Sequence, residues 1–114
     1  MSHYIDGIHH VSNVELQRIL GDPSKETHVI DVREPEEYEE RHIPGVPLIP
    51  MGDIVDYLDK LDQKQAYVFV CRSGRRSLEV AKYFHANGFE RVSNFEGGML
   101  SWTGVSVSGP EQGE

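Results

Sequence analysis

Apolar residues fall in short groups along the whole chain, and their spacing alternates between the period of helices and that of strands. Ser12 with Glu15 three positions on forms a capping box, and Val11 and Leu16 are placed to staple it, which predicts a helix to Leu20. Gly21, Asp22 and Pro23 end that helix. His28–Val32 is short, β-branched and bounded by polar residues, the signature of a buried strand, and Pro35 then opens an acidic helix through Arg41. Pro44, Gly45, Pro47 and Pro50 punctuate an extended stretch whose Val46–Ile49 core reads as another strand. Ile54, Val55, Leu58 and Leu61 repeat at helical spacing.

Ala66–Val70 carries the strongest strand signal. Ser77–Asn87 reads as a helix through Leu78, Val80, Ala81 and Phe84, with Gly88 as its stop. Arg91–Phe95 is predicted as the last strand and Gly97–Trp102 as a short helix, with Ser106–Glu114 a frayed polar tail. Strands alternating with helices at this spacing predict a parallel sheet covered on both faces, in which ligands bind beyond the carboxyl ends of the strands. Cys71, directly after Val70, falls in that position.

At 114 residues the chain has the size of one domain, with the core expected over residues 11–103. No apolar run approaches the ~20 residues of a membrane span, and the N-terminus lacks the basic-then-apolar layout of a secretory signal, so a cytoplasmic protein without membrane contact is expected. Eleven basic against nineteen acidic residues leave a formal net charge of −8, which argues against nucleic acid as a partner. Against that background Arg72, Arg75 and Arg76 cluster beside the single cysteine. One cysteine excludes an internal disulfide, so any redox cycle needs an outside thiol.

The segment Cys71-Arg72-Ser73-Gly74-Arg75-Arg76-Ser77 joins a buried strand to a helix, so backbone N–H groups and the positive end of the helix dipole can converge on the sulfur. Such a turn cradles an anion and favours the nucleophilic thiolate. Gly74 suits a backbone curled this tightly.

Three segments in order, DVREPEEYEERHIPGVPLIP over 31–50, CRSGRRS over 71–77 and NFEGGMLSW over 94–102, resemble the rhodanese-like domain family of single-domain sulfurtransferases. The resemblance spans about residues 11–102 and implies an α/β fold: a five-stranded parallel sheet flanked by helices on both faces. It also implies a reaction in two halves. The Cys71 thiolate takes the outer sulfur of thiosulfate or a related donor and expels sulfite; a thiol or cyanide then removes that sulfur from the persulfide. No cofactor or metal is implied, and a sulfur-relay protein is a possible partner.

Within this resemblance the substrate-binding set is Arg72, Ser73, Gly74, Arg75 and Arg76, with Arg72 and Arg76 expected to hold an anionic donor and Arg75 free to point outward. Asp31 and Arg33, on the family's Asp-Val-Arg signature, are expected to brace a neighbouring loop. His42 reads as a hydrogen-bonding structural residue, and Arg41 stands where relatives usually have glycine. His9-His10 lacks the company a metal site needs, the acidic run Glu34–Glu40 reads as a solvated helix face, and Gly97-Gly98 reads as the turn into the last helix.

Two rivals are kept. A phosphatase or arsenate reductase of related fold carries an arginine six positions after its cysteine, where this chain has Ser77. A sulfur-carrier or protein-binding module would share the domain without thiosulfate activity.

Overall fold

In the computed structural model, which describes residues 3–110, strands and helices assemble around one five-stranded sheet. The strands are β1 (His3–Ile5), β2 (Ile8–Val11), β3 (Thr27–Asp31), β4 (Ala66–Val70) and β5 (Val92–Phe95). The helices are α1 (Asn13–Leu20), α2 (Pro35–Glu40), α3 (Met51–Ile54), α4 (Arg75–Ala86) and α5 (Gly98–Ser101). The sheet order is β1-β2-β5-β4-β3. All neighbouring pairs are parallel except β1 with β2, so the fully parallel sheet expected from the sequence becomes a mostly parallel one with an antiparallel edge.

That edge is a hairpin the sequence reading passed over. Asp6 and Gly7 both take positive φ, 55° and 79°, between Ile5 and Ile8, and an Asp-Gly pair is the turn chemistry that matches the twist of two short strands. The segment expected as a strand at Val46–Ile49 reduces to a single bridge between Leu48 and Asp31, because Pro47 and Pro50 have no N–H to donate to a ladder. The helix expected around Ile54–Leu61 shortens to α3 and a 3-10 turn at Val55–Tyr57, in a stretch holding Gly52, three aspartates and two β-branched residues.

Strand alternation splits the core into two layers. Tyr67, Phe69 and Cys71 face Val80, Phe84 and Phe89 on the α4 side. Val68 and Val70 face Leu16, Phe95, Met99 and Trp102 on the α1 and α5 side. The capping box at Ser12 forms as expected, with the Glu15 N–H donating to Ser12 Oγ and the Ser12 N–H to Glu15 Oε1. The stretch read as frayed is held at its start: Val107 exchanges backbone hydrogen bonds of 2.9 and 2.8 Å with His42. Residues 111–114 of that stretch lie outside the described residues.

Candidate active site

Beyond the carboxyl end of β4 the chain turns through Cys71–Gly74 and enters α4 two residues earlier than the apolar spacing suggests. Gly74, with φ of 95°, is the residue before the helix; a side chain there would meet the Gly97 nitrogen at 3.1 Å. This tight entry brings the first turn of α4 under the cysteine. Cys71 Sγ accepts the Gly74 N–H at 3.1 Å and the Ser77 N–H at 3.3 Å, and the Ser77 hydroxyl lies 3.2 Å away. The sulfur is buried at 1 % exposure, next to the positive end of a 12-residue helix.

The other side of the loop backbone is fixed by α5. Met99 N–H donates to Cys71 O at 2.8 Å and Leu100 N–H to Arg72 O at 3.0 Å. Because a trans peptide holds its C=O and N–H on opposite sides, these bonds direct the Arg72 and Ser73 N–H groups away from α5. So close an approach requires Gly98: a Cβ there would lie 2.4 Å from Cys71 O and 2.5 Å from the Arg72 carbonyl carbon. The glycines read as a turn thus also seat a helix flush against the cysteine loop.

The three arginines do not act alike. Arg72 and Arg75 are exposed, as is Ser73, and neither arginine has an ion-pair partner among the described residues. Arg76, expected to pair with Arg72 in holding an anion, instead closes its fork on Glu37 of α2 through two contacts of 2.8 Å. That fork, aided by the Glu34 N–H, draws the Glu37 carboxyl from its ordinary 4.5 down to about 2. Ser73, Arg75 and Arg76, with Met51, Leu78 and Glu79, border an open hollow of about 540 Å³ beside the loop.

Further residues support this arrangement from a distance. The Arg33 guanidinium grips Asp31 at 2.9–3.1 Å and donates to the carbonyls of Glu37 and Arg41, so the buried pair ties the end of β3 to the end of α2. Arg41 is extended, with φ of −167°, a conformation open to any residue, and its guanidinium donates to Met99 O within α5 and Trp102 O just after it. His42 is buried, stacked on Tyr38 at 3.8 Å, and its Nδ1 donates to Tyr38 O at 2.8 Å. His9 and His10, neighbours on a strand, leave on opposite faces, His9 toward Ser93 and His10 toward Asn94.

Ser77, noted in the sequence only as the residue where a phosphatase has arginine, touches the sulfur, and Asn94, which the sequence does not single out, stands behind it. Both are buried, and the Ser77 hydroxyl contacts Asn94 Oδ1. The available signal was periodic: Ser77 sits three, four and seven residues before Val80, Ala81 and Phe84, on the apolar stripe of α4, where a polar side chain is out of place unless partnered.

Comparison with known proteins converges on one family. Residues 12–104 match the model of the Rhodanese-like domain. The chain is 44% identical over 80 residues to the "Putative sulfurtransferase YtwF" of Bacillus subtilis (strain 168), covering 70% of this chain and 77% of that protein. It is 41% identical over 83 residues to the "Putative sulfur carrier protein YrkF" of the same organism, covering 73% of this chain and 45% of that one. The crystal structure of a rhodanese-like domain protein from Staphylococcus aureus superposes with a TM-score of 0.74 at 38% identity, over 82% of this chain and 90% of the other. A cysteine loop seated between β4 and α4, on a sheet and sequence shared with these proteins, makes this chain a member of the rhodanese-like domain family.

Proposed function

We propose that the protein is a sulfurtransferase that carries sulfane sulfur on Cys71, taking it from thiosulfate or a related donor and passing it to a thiol or cyanide. The observation that carries this reading is the set of donors at the sulfur: two backbone N–H groups and a hydroxyl within 3.3 Å of Sγ. In the first half-reaction the Cys71 thiolate attacks the outer sulfur of thiosulfate, an S–S bond to Cys71 forms, the donor's S–S bond breaks, and sulfite leaves with that bond's electron pair. Loop N–H groups stabilise the negative charge on the terminal persulfide sulfur. In the second half an acceptor attacks that sulfur and the Cys71 thiolate is regenerated.

Arg72 and Arg75, exposed at the loop, provide the charge that attracts a dianionic donor, with Ser73 and Gly74 shaping the rim; Arg76 holds the helix start to α2. The small cradle separates this reading from phosphoryl chemistry. At the position where a phosphatase loop carries its arginine stands Ser77, buried with its hydroxyl on the sulfur, so the guanidinium that would grip a phosphoryl group there is missing. A lone thiol of this kind suits a reducing compartment, so we place the protein in the cytoplasm.

Intact-mass measurement of the reduced protein after thiosulfate treatment tests the reading. A gain of about 32 Da, one sulfur atom, absent in Cys71→Ser and discharged by cyanide with sulfite released earlier, is the expected result. The similarity to a protein named as a sulfur carrier supports a second reading, a relay module loaded by a protein persulfide. Loading from such a donor with none from thiosulfate would favour it.

A further inference from the structure

Behind the sulfur runs a buried polar chain that crosses three elements: Cys71, Ser77 on α4, Asn94 on β5 and His10 on β2. The orientation of the Asn94 amide is settled by Gly74 O, which only accepts, so Nδ2 must face it at 3.0 Å. Oδ1 then faces the Ser77 hydroxyl, and it too only accepts. Nδ2 also lies 3.3 Å from His10 Nδ1, which therefore accepts and leaves the ring proton on Nε2. Burial, with the neighbouring His3 imidazole, pushes the His10 imidazole below its usual 6.5, which favours the neutral form.

Ser77 has one proton and two acceptors that want it, Asn94 Oδ1 and the cysteine sulfur. We propose that Asn94 is a positioning residue that competes for the Ser77 proton, so that the hydroxyl is a two-position switch set by the charge on Cys71. With a thiol, the Cys71 S–H donates to Ser77 Oγ while Ser77 donates to Asn94. With a thiolate, the Ser77 proton turns to the sulfur and Asn94 Oδ1 loses its donor. Once an outer sulfur is attached and carries the charge, Sγ no longer competes and the proton returns to Asn94. Asn94 therefore opposes thiolate formation in the resting protein and favours its discharge into a loaded one. The inference uses the proposed persulfide chemistry, but its central step, proton placement at the free thiol, is measurable without any sulfur donor.

Other charges around the sulfur are the Arg76–Glu37 pair, the exposed Arg72 and Arg75, and the closed Asp31–Arg33 pair at the end of β3; behind Asn94 stand His10 and His3, with Glu96 on His3, Asp6 in the hairpin turn and His9 on the opposite face of the sheet. None of these donates to Ser77 Oγ among the described residues, so the contest for its proton is local.

The test is ultraviolet thiolate absorbance against pH, read as the difference from Cys71→Ser so that absorbance from the five tyrosines cancels and the one cysteine remains. Asn94→Ala is expected to move the midpoint about half to one pH unit lower, a three- to tenfold gain in thiolate at a given pH. Ser77→Ala is expected to move it higher, and the double variant to match Ser77→Ala. A midpoint that rises or stays in Asn94→Ala, or an Asn94 effect that persists without the Ser77 hydroxyl, overturns the proposal. Should Asn94→Ala fail to fold, the infrared S–H band of the unmodified protein decides. A band lowered as in a hydrogen-bonded thiol, returning toward the free-thiol position in Ser77→Ala, supports the switch; a band unmoved by Ser77→Ala rules it out.

Discussion

Two concave regions of this molecule invite comparison. Along the outer flank of β3, the edge strand opposite β1, lies an apolar groove of about 410 Å³ lined by Ile19, Leu20, Val29, Val46, Pro47 and Tyr67 among others. At the far end of β4 lies the cysteine loop, whose sulfur is almost wholly enclosed. The groove has apolar surface and no convergence of donors; the loop sets three donors around one enclosed atom, beside an open hollow of about 540 Å³. Chemistry follows the second pattern, because a reacting charge is stabilised by dipoles already aimed at it.

The sharpest way to break this contrast is to disturb the loop's backing without touching its side chains. Gly98→Ala places a methyl group against the Cys71 and Arg72 carbonyls at a φ of 58°. It is expected to lower stability by about 2–4 kcal/mol in urea unfolding and to cut sulfur transfer more than tenfold. Retained transfer would mean that the packing of α5 on the loop is dispensable. Next in size, Arg72→Ala and Arg75→Ala are each expected to raise KM for thiosulfate about fivefold to tenfold, the loss of roughly one charge-assisted contact, with smaller losses for a neutral donor. Equal losses for both donors would remove their anion-attracting role.

A smaller change is expected from Glu37→Gln, which frees the Arg76 guanidinium to face the loop. KM for thiosulfate should fall about twofold to threefold, and stability near neutral pH by about 1 kcal/mol, as for a partly exposed pair. The pH dependence has a definite sign. Because Glu37 in the folded protein titrates below its ordinary value, its contribution is complete above 4.5 and is lost as the pH falls toward about 2. The variant should lack that component of the acid unfolding curve; an unchanged curve would count against the pair. Smallest of all, Leu20→Ser in the groove is expected to leave transfer rates within about twofold, and a larger fall would give the groove a part in the reaction.

Much of this architecture was readable from local signals. Ser12 with Glu15, Pro35 at a helix start and the run Ala66–Val70 each act within a few residues, and each produced the element it predicts. Cys71 was placed correctly because strand-to-helix order alone locates it. What escaped depended on partners distant in the chain. Arg76 looked like a free cation until α2 brought Glu37 to it across 39 positions, and Asn94 looked like an ordinary strand residue until β2 and α4 closed on it. The hairpin at Asp6-Gly7 was a different kind of omission, a local turn signal that was present and passed over.

The docking of β2 on β5, with His9 paired to Ser93, sets the schedule on which a newly made chain becomes a working one. Strands 84 residues apart cannot meet until the later one exists, and closing so long a loop is a slow, late event in folding. Asn94 and Gly98, which complete the surroundings of the cysteine, belong to that last stretch. During synthesis Cys71 therefore leaves the ribosome before the residues that enclose it, and its thiol stays open to oxidants and metals until nearly the whole domain has emerged.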